Sequence, residues 1–410
     1  MLLKGGSHRN TFVGFYIFDF DMHVLHFLLG FHNPIGGEEI FVRGLTYHLQ
    51  AKYGIVQSII TQSSSRRKEI SRYEGITVIS LPMLSLGYYN VLSGLFSVLY
   101  NGTYDIINIH GYGDYTADIT CILKKLGFLG NTPLVLSTHG LYGLKNGYLA
   151  SDFSAPFPSK RQRIRGFLHR FYDFTLGRVE VNTFDKIIIN SEEDRKYLSK
   201  NGMKGNKAVK IPIAINEIFF RFKPAIPRSD RHYILYVGRI DPYKGLDVLV
   251  KAIKELESRG TIVKCIIIGS DVGYKSKLLS FIHKMNIQDQ VELREHVSQE
   301  NLIELYSHAI VTVLPSLSEG YPLTLVESLS AGTPFITTPV GANPELASLS
   351  NAGLIVPIGE PKTLADTILR AIKDEHLWLN MSRCGQAYVV NFSWQKVVEK
   401  YYQVYSELTQ

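Results

Sequence analysis

Two glutamates in the segment Leu314–Gly332 (LPSLSEGYPLTLVESLSAG) are the strongest candidates for chemistry in this sequence. The apolar run Ile310–Leu314 predicts a buried strand, and the loop after it leads into a helix. Pro322 suits the first position of that helix, where its missing N–H is no loss. A helix start exposes backbone N–H donors and the positive end of the helix dipole, so this segment predicts an anion site.

The side chains of this segment add specificity to the anion site. Gly320 lets the backbone approach a phosphate closely. Glu319 would lie beside the anion, and Glu327 more than a turn further along the helix. Each carboxylate could hold vicinal hydroxyl groups, one of them those of a sugar and the other those of a ribose. The alternative is that Glu319 complements the helix dipole and Glu327 is a solvated helix residue.

Two cations lie in a second strand-to-helix loop, Tyr236–Val248 (YVGRIDPYKGLDV). Arg239 and Lys244 follow the predicted strand Tyr233–Val237 and could together neutralise a diphosphate. A unit charge pair about 4 Å apart is worth roughly 4 kcal/mol at an effective dielectric near 20. Alone, this loop could equally be a surface turn with ordinary charges. Together with the Glu319 loop in the same half of the chain, it indicates a diphosphate site.

Two histidines each follow an apolar run and precede a glycine. His139 comes after Leu134–Ser137, and His110 comes after Asp105–Ile109. Ligands of open α/β sheets bind at the carboxyl ends of strands. We therefore predict a functional role for His139 and a place for His110 on the acceptor side, with a capping or packing role as the alternative for each.

Short apolar runs alternate with helical patterns along the chain. Most runs are continuously apolar, as is typical of parallel strands covered on both faces. Their alternation with helices predicts βαβ units and an α/β fold with doubly wound parallel sheets. The predicted strands are His23–Leu29, Ile55–Ile60, Ile76–Ser80, Asp105–Ile109, Leu134–Ser137, Lys186–Ile189, Tyr233–Val237, Val263–Ile268, Val291–Leu293, Val311–Leu314, Phe335–Thr337 and Leu354–Val356. The clearest predicted helices are Glu38–Gln50, Leu246–Arg259, Leu302–Ala309 and Trp394–Leu408.

The length of 410 residues suggests two domains, at roughly 100–200 residues per domain. The strand series restarts after Phe222–Asp230 (FKPAIPRSD), whose prolines and charges indicate a linker. We predict an N-terminal extension at 1–21, a Rossmann-like domain at 22–215, a linker at 216–230 and a second Rossmann-like domain at 231–391. The two domains would face each other across a cleft.

Composition excludes several classes of protein. With 45% hydrophobic and 20% charged residues, the chain is neither disordered nor fibrous. Its formal charge of +7 fits an anionic partner without requiring one. No apolar run reaches the ~18 residues of a membrane span, because the nearest, Thr11–Phe31, contains Asp19 and Asp21. No small-residue cleavage site follows, so a signal peptide is not predicted. The three cysteines lack metal-ligand spacing and indicate a reducing compartment.

The segments GRIDPYKGLDVLVKAI (238–253) and PSLSEGYPLTLVESLSAGTPFITTPVGANPEL (315–346) resemble the nucleotide-binding half of the retaining glycosyltransferase family 4, which has the GT-B fold. The resemblance covers nearly the whole chain from Met22, with further matches at PIGGE (34–38), STHG (137–140), NSE (190–192) and IPIAIN (211–216). The family usually has Gly and then Asp where this chain has Ala214 and Asn216.

The resemblance implies a donor site for a nucleoside-diphosphate sugar in the second domain. Arg239 and Lys244 would bind the diphosphate, Glu319 the hydroxyls of the transferred sugar and Glu327 the ribose. His139 would reach the sugar across the cleft. The implied catalytic set is His139, Glu319, Arg239 and Lys244. The implied donor-binding residues are Gly37, Gly238, Arg239, Lys244, Arg294, His296, Val297, Glu319, Gly320, Tyr321, Leu323 and Glu327.

Some of these roles belong to the backbone. The N–H groups of Gly320, Tyr321 and Leu323 would meet the phosphates, and Gly37 would let the backbone close on the donor from the N-terminal side. The base would rest against the loop Arg294–Val297. The C-terminal stretch 392–410 would pack back towards the N-terminal domain.

Retention of the anomeric configuration is also implied by the resemblance. Arg239, Lys244 and the helix start would stabilise the charge on the departing diphosphate, and the departing oxygen could take the acceptor's proton on the same face. A covalent route through an enzyme carboxylate stays open. No metal or cofactor is expected, because the two cations would replace a metal, and we interpret Asp19-Phe20-Asp21 as a chance match to a metal motif. The alternative function is a nucleotide-sugar epimerase or a phosphorylase on the same fold.

The acceptor is predicted to be a glycan or a lipid-linked molecule. Lys160–Arg170 (KRQRIRGFLHR) has five Lys or Arg with apolar residues between them. It could be a basic amphipathic helix on an anionic membrane surface, or a solvated helix face. No nucleic-acid-binding module is recognisable. We expect a cytoplasmic protein, peripheral on the cytoplasmic face of the membrane under the first interpretation.

Overall fold

The computed structural model describes residues 22–31, 37–63, 65, 67–86, 89–141, 171–221, 228–295 and 297–410. The strands among them are β1 His23–Phe27, β2 Val56–Gln62, β3 Glu69–Tyr73, β4 Ile76–Leu81, β5 Met83–Leu86, β6 Tyr89–Leu92, β7 Ile106–His110, β8 Leu134–Ser137, β9 Lys186–Ile189, β10 Ala208–Lys210, β11 Tyr233–Val237, β12 Lys264–Ile268, β13 Val291–Arg294, β14 Ala309–Leu314, β15 Phe335–Thr337 and β16 Gly353–Ile355. The α-helices among them are α1 Gly37–Tyr53, α2 Leu95–Asn101, α3 Tyr115–Lys125, α4 Arg178–Thr183, α5 Glu192–Lys200, α6 Ile218–Arg221, α7 Leu246–Ser258, α8 Lys275–Met285, α9 Gln299–His308, α10 Leu323–Ser330, α11 Asn343–Ser350, α12 Pro361–Lys373, α13 Glu375–Val389 and α14 Trp394–Thr409.

The described residues divide into two compact units. The first unit holds those of 1–110, 114–136 and 401–410, and the second those of 111–113 and 137–400. Residues 137–215, which we predicted in the first domain, are thus grouped in one unit with the C-terminal half. The predicted domain boundaries at 215 and 230 stay a prediction.

The first unit is built on a mostly parallel sheet in which β8, β7, β1, β2, β4 and β3 lie side by side in that order. β1 pairs in parallel with both β2 and β7, which places it in the middle of this unit's strands. The β1 residues Val24, Leu25 and Phe27 are almost completely buried. Continuous burial of this kind is what the apolar runs predicted, because both faces of a parallel sheet are covered.

Parts of the first unit were missed by the sequence analysis. β3 (EISRY) pairs antiparallel with β4, and four of its five residues are exposed. The hairpin of β5 and β6 is a separate two-stranded sheet. An exposed strand needs no apolar run, so the apolar pattern does not reveal it.

The second unit contains a six-stranded sheet with the order β13-β12-β11-β14-β15-β16, all pairs being parallel. In the same unit β9 pairs in parallel with β10. The prediction of an α/β fold with parallel sheets is confirmed. The neighbouring strands β11 and β14 run in the same direction, so the loops that follow them leave the sheet at the same edge.

The C-terminal helix α14 carries the chain back to the first unit, to which residues 401–410 belong. There Tyr402 stacks on Tyr53 with 3.9 Å between ring centroids. The Asn108 Nδ2 donates to the Tyr405 hydroxyl over 2.7 Å. These contacts anchor the end of the chain to α1 and β7.

Several predicted features lie outside the described residues, namely 1–21 with Asp19 and Asp21, the basic segment Lys160–Arg170, residues 222–227 of the linker, and His296. Within the part of the chain that is described, no helix combines the length and the apolar character that a membrane crossing requires.

Candidate functional site

The loops after β11 and β14 are joined directly in the second unit. The Leu317 N–H donates to the Tyr243 carbonyl over 2.7 Å. The Thr338 hydroxyl donates to the Ser316 carbonyl at 2.5 Å, which ties the second loop to the end of β15. The two loops singled out in the sequence therefore form one structure at the carboxyl edge of the sheet.

Lys244 and Glu319 meet in this structure as an ion pair. The Lys244 Nζ lies 2.7 Å from the Glu319 Oε1, and their side chains are only 15% and 9% exposed. The Ser316 hydroxyl donates to the same Glu319 oxygen over 2.6 Å. Such a shielded pair is held in place, and each charge is partly neutralised by the other, so an anionic ligand would have to compete with Glu319 for the ammonium group.

Arg239 stands at the start of the first loop with its side chain 47% exposed. Its Nη2 lies 3.5 Å from the Oδ2 of Asp241, which is fully buried. The other Asp241 oxygen accepts the Tyr243 N–H over 2.8 Å. The Gly238 N–H donates to the Ile268 carbonyl over 2.9 Å, which fixes the end of β11. Arg239 thus presents its guanidinium at the loop surface from a rigid backbone.

The backbone around Glu319 and Gly320 is packed against two glycines. A Cβ added to Gly341 would lie 2.3 Å from the Glu319 carbonyl oxygen and 2.8 Å from that of Gly320. A Cβ added to Gly140 would lie 3.2 Å from the Gly320 Cα. The turn at His139 and Gly140 therefore lies against the Glu319 loop, with backbone facing backbone.

The start of helix α10 differs in detail from the prediction. Pro322 (φ −85°, ψ 78°) is the cap residue before the helix, not its first residue. These angles are those of an inverse γ-turn, and the Leu323 N–H donates to the Tyr321 carbonyl over 3.1 Å. The Leu323 N–H, predicted to meet a phosphate, is therefore engaged within the loop. Pro322 lies outside the helix through its ψ of 78°, because its φ of −85° is close to the value that the proline ring fixes.

His139 has its backbone in the left-handed region, with φ +51°. Burial lowers the pKa of its imidazole to about 4, because the charged ring loses solvation. At neutral pH this ring is therefore neutral, a hydrogen-bond donor and a weak base.

Glu327 is not the solvated helix residue of the alternative interpretation. Its Oε2 accepts the Tyr306 hydroxyl over 3.0 Å, and Tyr306 itself is fully buried. Burial raises the pKa of the Glu327 carboxyl to about 7. The carboxyl can therefore change its charge near neutral pH, which is a property typical of functional sites.

Arg294 ends β13, and its carbonyl accepts the Gly269 N–H over 2.9 Å. The Arg294 Nε pairs with the Glu292 Oε1 at 2.6 Å. Its side chain lines a cavity of about 340 Å³ together with His232, Tyr233 and His308, of which the first two mark the beginning of β11. Val297 packs against the core of the second unit. The role of Arg294, His296 and Val297 in binding the base stays a prediction, and His296 lies outside the described residues.

Gly37 and His110 belong to the first unit. Gly37 is the exposed first residue of helix α1. His110 ends β7 with 4% of its surface exposed, and its Nε2 lies 3.0 Å from the Nδ1 of His26. The His26 Nε2 in turn lies 2.8 Å from the Gln57 Oε1. His110 is thus part of a buried chain of polar side chains that the sequence analysis missed, although a histidine inside the apolar run HVLHF was the available signal.

The direction of this chain follows from its last link. The Gln57 Nε2 donates to the Thr46 carbonyl over 2.7 Å, so the Gln57 Oε1 must accept from the His26 Nε2–H. Burial lowers the pKa of His26 to about 4, which leaves its Nδ1 unprotonated at neutral pH. The His26 Nδ1 therefore accepts from the His110 Nε2–H, so that Nε2 carries a proton in both rings.

Metal-ligating groups do not converge among the described residues, where no cluster of three or more His, Cys, Asp or Glu could hold an ion. The three cysteines Cys121, Cys265 and Cys384 are free thiols, the first two buried.

Two family models match consecutive parts of the chain. The model described as Glycosyltransferase Family 4 matches residues 35–217, and the model described as Glycosyl transferases group 1 matches residues 218–387.

Curated relatives match over most of the chain. The D-inositol 3-phosphate glycosyltransferase of Streptomyces bingchenggensis is 24% identical over 393 residues, which are 90% of this chain and 80% of the relative. The GDP-mannose:cellobiosyl-diphosphopolyprenol alpha-mannosyltransferase of Xanthomonas campestris is 24% identical over 392 residues, 94% of this chain and 96% of the relative.

Solved structures share the fold. Sucrose-phosphate synthase from Thermosynechococcus elongatus superposes with a TM-score of 0.72 at 22% identity, covering 94% of this chain and 99% of that one. Anabaena HepE in complex with UDP and glucose superposes with a TM-score of 0.67 at 16% identity, covering 94% and 100%. At these identities the likeness is one of architecture, that of the GT-B fold.

Proposed function

The chain belongs to glycosyltransferase family 4 and has the GT-B fold, and from this premise we propose that it is a retaining transferase with a nucleoside-diphosphate sugar as donor and a glycan or lipid-linked molecule as acceptor. The transferred group would be a hexose-type sugar. The observation that carries the proposal is the shielded pair of Lys244 and Glu319, whose charged atoms are 2.7 Å apart in the joined loops.

The diphosphate would bind where positive charge is concentrated. Lys244 would turn from Glu319 to a phosphate oxygen, and Arg239, being half exposed, would swing onto the same group. The backbone N–H groups of Gly320 and Tyr321 would add donors near the start of helix α10. Once the donor is bound, these groups would hold the diphosphate before the glycosidic bond breaks, so they would stabilise the charge that develops on the departing diphosphate without further reorganisation.

The sugar would bind next to the diphosphate. Glu319, released from Lys244, would accept hydrogen bonds from its hydroxyls, and Glu327 would do the same for the ribose. His139 would donate a hydrogen bond to the sugar as a neutral imidazole. Its pKa of about 4 makes this ring a weak base at pH 7, which favours a route in which the departing phosphate oxygen takes the acceptor's proton. Transfer on that same face retains the anomeric configuration.

The acceptor would be bound by the N-terminal part of the chain. We assign residues 22–215 to the acceptor domain, with His110 on the acceptor side and Gly37 closing on the donor, residues 231–391 to the donor domain, and 392–410 to the connecting helix. The relative from Xanthomonas campestris acts on cellobiosyl-diphosphopolyprenol by its name, which makes a lipid-linked acceptor the first class to test. Such an acceptor would suit a protein held at an anionic membrane surface through Lys160–Arg170.

A donor screen tests the proposal. UDP-, GDP- and ADP-hexoses are added one at a time, and the thermal midpoint and the release of nucleoside diphosphate are measured. A true donor at 100 times its Kd stabilises by about 2.7 kcal/mol and should stand out from the others. The product formed with a polyprenyl-diphosphate glycan is then analysed by NMR, where an inverted anomeric centre would contradict the proposed mechanism.

A chelator tests the absence of a metal requirement. We propose that Lys244 and Arg239 neutralise the diphosphate without a cation, so activity should persist in EDTA. Loss of activity that Mg²⁺ or Mn²⁺ restores would show that these side chains do not suffice. The same assay covers the alternative function: an epimerase would change the donor sugar without releasing nucleoside diphosphate, and a phosphorylase would require phosphate. Family membership does not favour either.

A further inference from the structure

We propose that Asp194 is a positioning residue that holds the turn of His139, Gly140 and Leu141 against the Glu319 loop. This inference rests on the proposed function, because it concerns the sugar-binding role given to His139. Asp194 is not among the residues that the family resemblance pointed to.

The Asp194 carboxylate joins two separate segments of the second unit. It is 3% exposed, and its Oδ1 accepts the Leu141 N–H over 2.8 Å. Its Oδ2 accepts the N–H groups of Ser191 and Asn190 over 3.2 Å and 3.3 Å. One carboxylate therefore binds the turn after β8 to the start of helix α5, where the positive end of the helix dipole also favours a negative charge.

The turn needs such a restraint because its backbone is unfavourable by itself. His139 has φ +51°, and a residue with a Cβ keeps a left-handed conformation only where its surroundings enforce it. Leu141, two residues later, is the point at which Asp194 holds the chain. Without that hydrogen bond, the turn is free to relax towards an ordinary conformation.

Relaxation of the turn would displace the neighbouring backbone of Gly320 and Tyr321 in the Glu319 loop. The ideal Cβ position of Gly140 is 3.2 Å from the Gly320 Cα and 3.7 Å from the Tyr321 N. Close-packed backbones transmit a displacement of a few tenths of an ångström, because no side chain between them can yield. A shift of Leu141 therefore moves the His139 ring relative to Glu319, the residue that would bind the same sugar.

Helix α5, which carries Asp194, is itself bound to Glu345. The Glu192 N–H, in the first turn of α5, donates to the Glu345 Oε2 over 2.7 Å. The Lys210 Nζ lies 2.7 Å from the Glu345 Oε1. Glu345 belongs to helix α11, which begins just after Gly341, the other glycine packed against the Glu319 loop. Helix α5 thus connects both sides of the loop, and Asp194 is its link to His139.

Kinetics of donor hydrolysis test the inference. Asp194→Asn keeps the side-chain volume but places an amide NH2 against the N–H donors, so one segment is released. Because Lys244 and the helix start would still hold the diphosphate, we expect kcat to fall roughly 10- to 100-fold with donor KM changed less than threefold. Ser191→Ala is the matched control: it removes the helix-cap bond of the Ser191 hydroxyl to the Asp194 N–H (3.2 Å) and should lower the Tm while kcat stays within twofold.

A double-mutant cycle with His139→Ala separates positioning from general damage. If Asp194 acts through His139, Asp194→Asn should cost less than threefold in the His139→Ala background. Multiplicative losses, or a Ser191→Ala effect as large as that of Asp194→Asn, would overturn the inference. Asp194→Ser, which retains one acceptor, replaces Asp194→Asn if the latter does not fold. A wild-type protein that hydrolyses none of the donors would instead overturn the proposed function.

Discussion

His139 and His110 look alike in the sequence, since each follows an apolar strand and precedes a glycine, but the structure gives them opposite supports. His110 is held by side chains, through His26 and Gln57 at 3.0 Å and 2.8 Å. His139 is held through the backbone, by a turn pressed against Gly320 and tied to Asp194. A side-chain network specifies a tautomer and a ring orientation, whereas glycine packing specifies a position.

The difference predicts which changes each region tolerates. Deleting a polar side chain should damage the first unit through stability, because buried partners lose their hydrogen bonds. In the second unit, adding a single methyl group should damage activity, because the backbone cannot move aside.

The largest effect is expected for Lys244→Ala. Loss of the cation should reduce kcat/KM roughly 30- to 1,000-fold, about 2–4 kcal/mol of transition-state stabilisation. The variant also leaves Glu319 with a buried charge, so Lys244→Met combined with Glu319→Gln is measured beside it to keep the fold intact. Lys251→Ala is the control, since Lys251 is 45% exposed in a pair with Asp247 at 3.5 Å. Equal turnover of Lys244→Ala and Lys251→Ala would contradict the donor site.

His26→Leu should lower the free energy of unfolding by about 2–3 kcal/mol, because the Gln57 oxygen and the His110 Nε2–H both lose a buried partner. Chemical denaturation measures this loss. His23→Leu, at the more exposed end of the same strand, should cost less. Donor hydrolysis by the folded His26 variant should stay within about threefold of wild type, and nitrogen chemical shifts should show Nε2–H tautomers for both rings in the wild type. Nδ1–H tautomers there would mean that the chain of donors runs the other way.

Gly341→Ala should reduce kcat/KM about tenfold, since its Cβ would lie 2.3 Å from the Glu319 carbonyl oxygen and must displace the loop. Gly341 has φ +55°, so alanine there is also strained in its backbone. Gly359→Ala isolates that second contribution, because Gly359 has φ +77° with nothing within 4 Å of its ideal Cβ. If both variants lose the same activity, backbone packing is not what positions Glu319.

The pH dependence of donor affinity should be no larger than the effect of Gly341→Ala. The folded pKa of Glu327 is about 7, above its ordinary value of 4.5, so the carboxylate that would accept the ribose hydroxyls forms only as pH rises through 7. Donor affinity should therefore increase about tenfold between pH 6 and pH 8, as measured by calorimetry. Glu327→Gln should abolish this dependence. A pH-independent Kd in the wild type would argue against a carboxylate–ribose contact.

The same shift has the opposite sign for stability without ligand. The folded state holds the Glu327 proton between pH 4.5 and about 7, where the unfolded chain has lost it. Its stabilising contribution is therefore complete below the unfolded pKa and is lost as pH rises through 7. Donor binding would thus favour the charged form of the Glu327 carboxyl, whereas folding favours its protonated form.

The amino-acid sequence was enough to place several strands and the loops that carry Arg239, Lys244 and Glu319. β8, β9, β11 and β15 have the bounds that their apolar runs predicted, because strands covered on both faces must be apolar throughout. The position of Arg239, Lys244, Glu319 and Gly320 after parallel strands followed from that alone. The apolar runs did not predict the exposed strand β3 or the hairpin of β5 and β6, because an exposed strand need not be apolar. They also did not predict that the Leu323 N–H is engaged, because this depends on the local turn geometry.

The ion-pair and hydrogen-bond partners of the site residues depend on the tertiary structure. Lys244 and Glu319 are 75 positions apart and meet at 2.7 Å because β11 and β14 are neighbours in the sheet, which no local pattern encodes. The chain from Gln57 through His26 to His110 depends likewise on three strands lying side by side. The close packing of Gly140 and Gly341 on the Glu319 loop was equally invisible, since a glycine in the sequence carries no information about which backbone will occupy the space of its absent side chain.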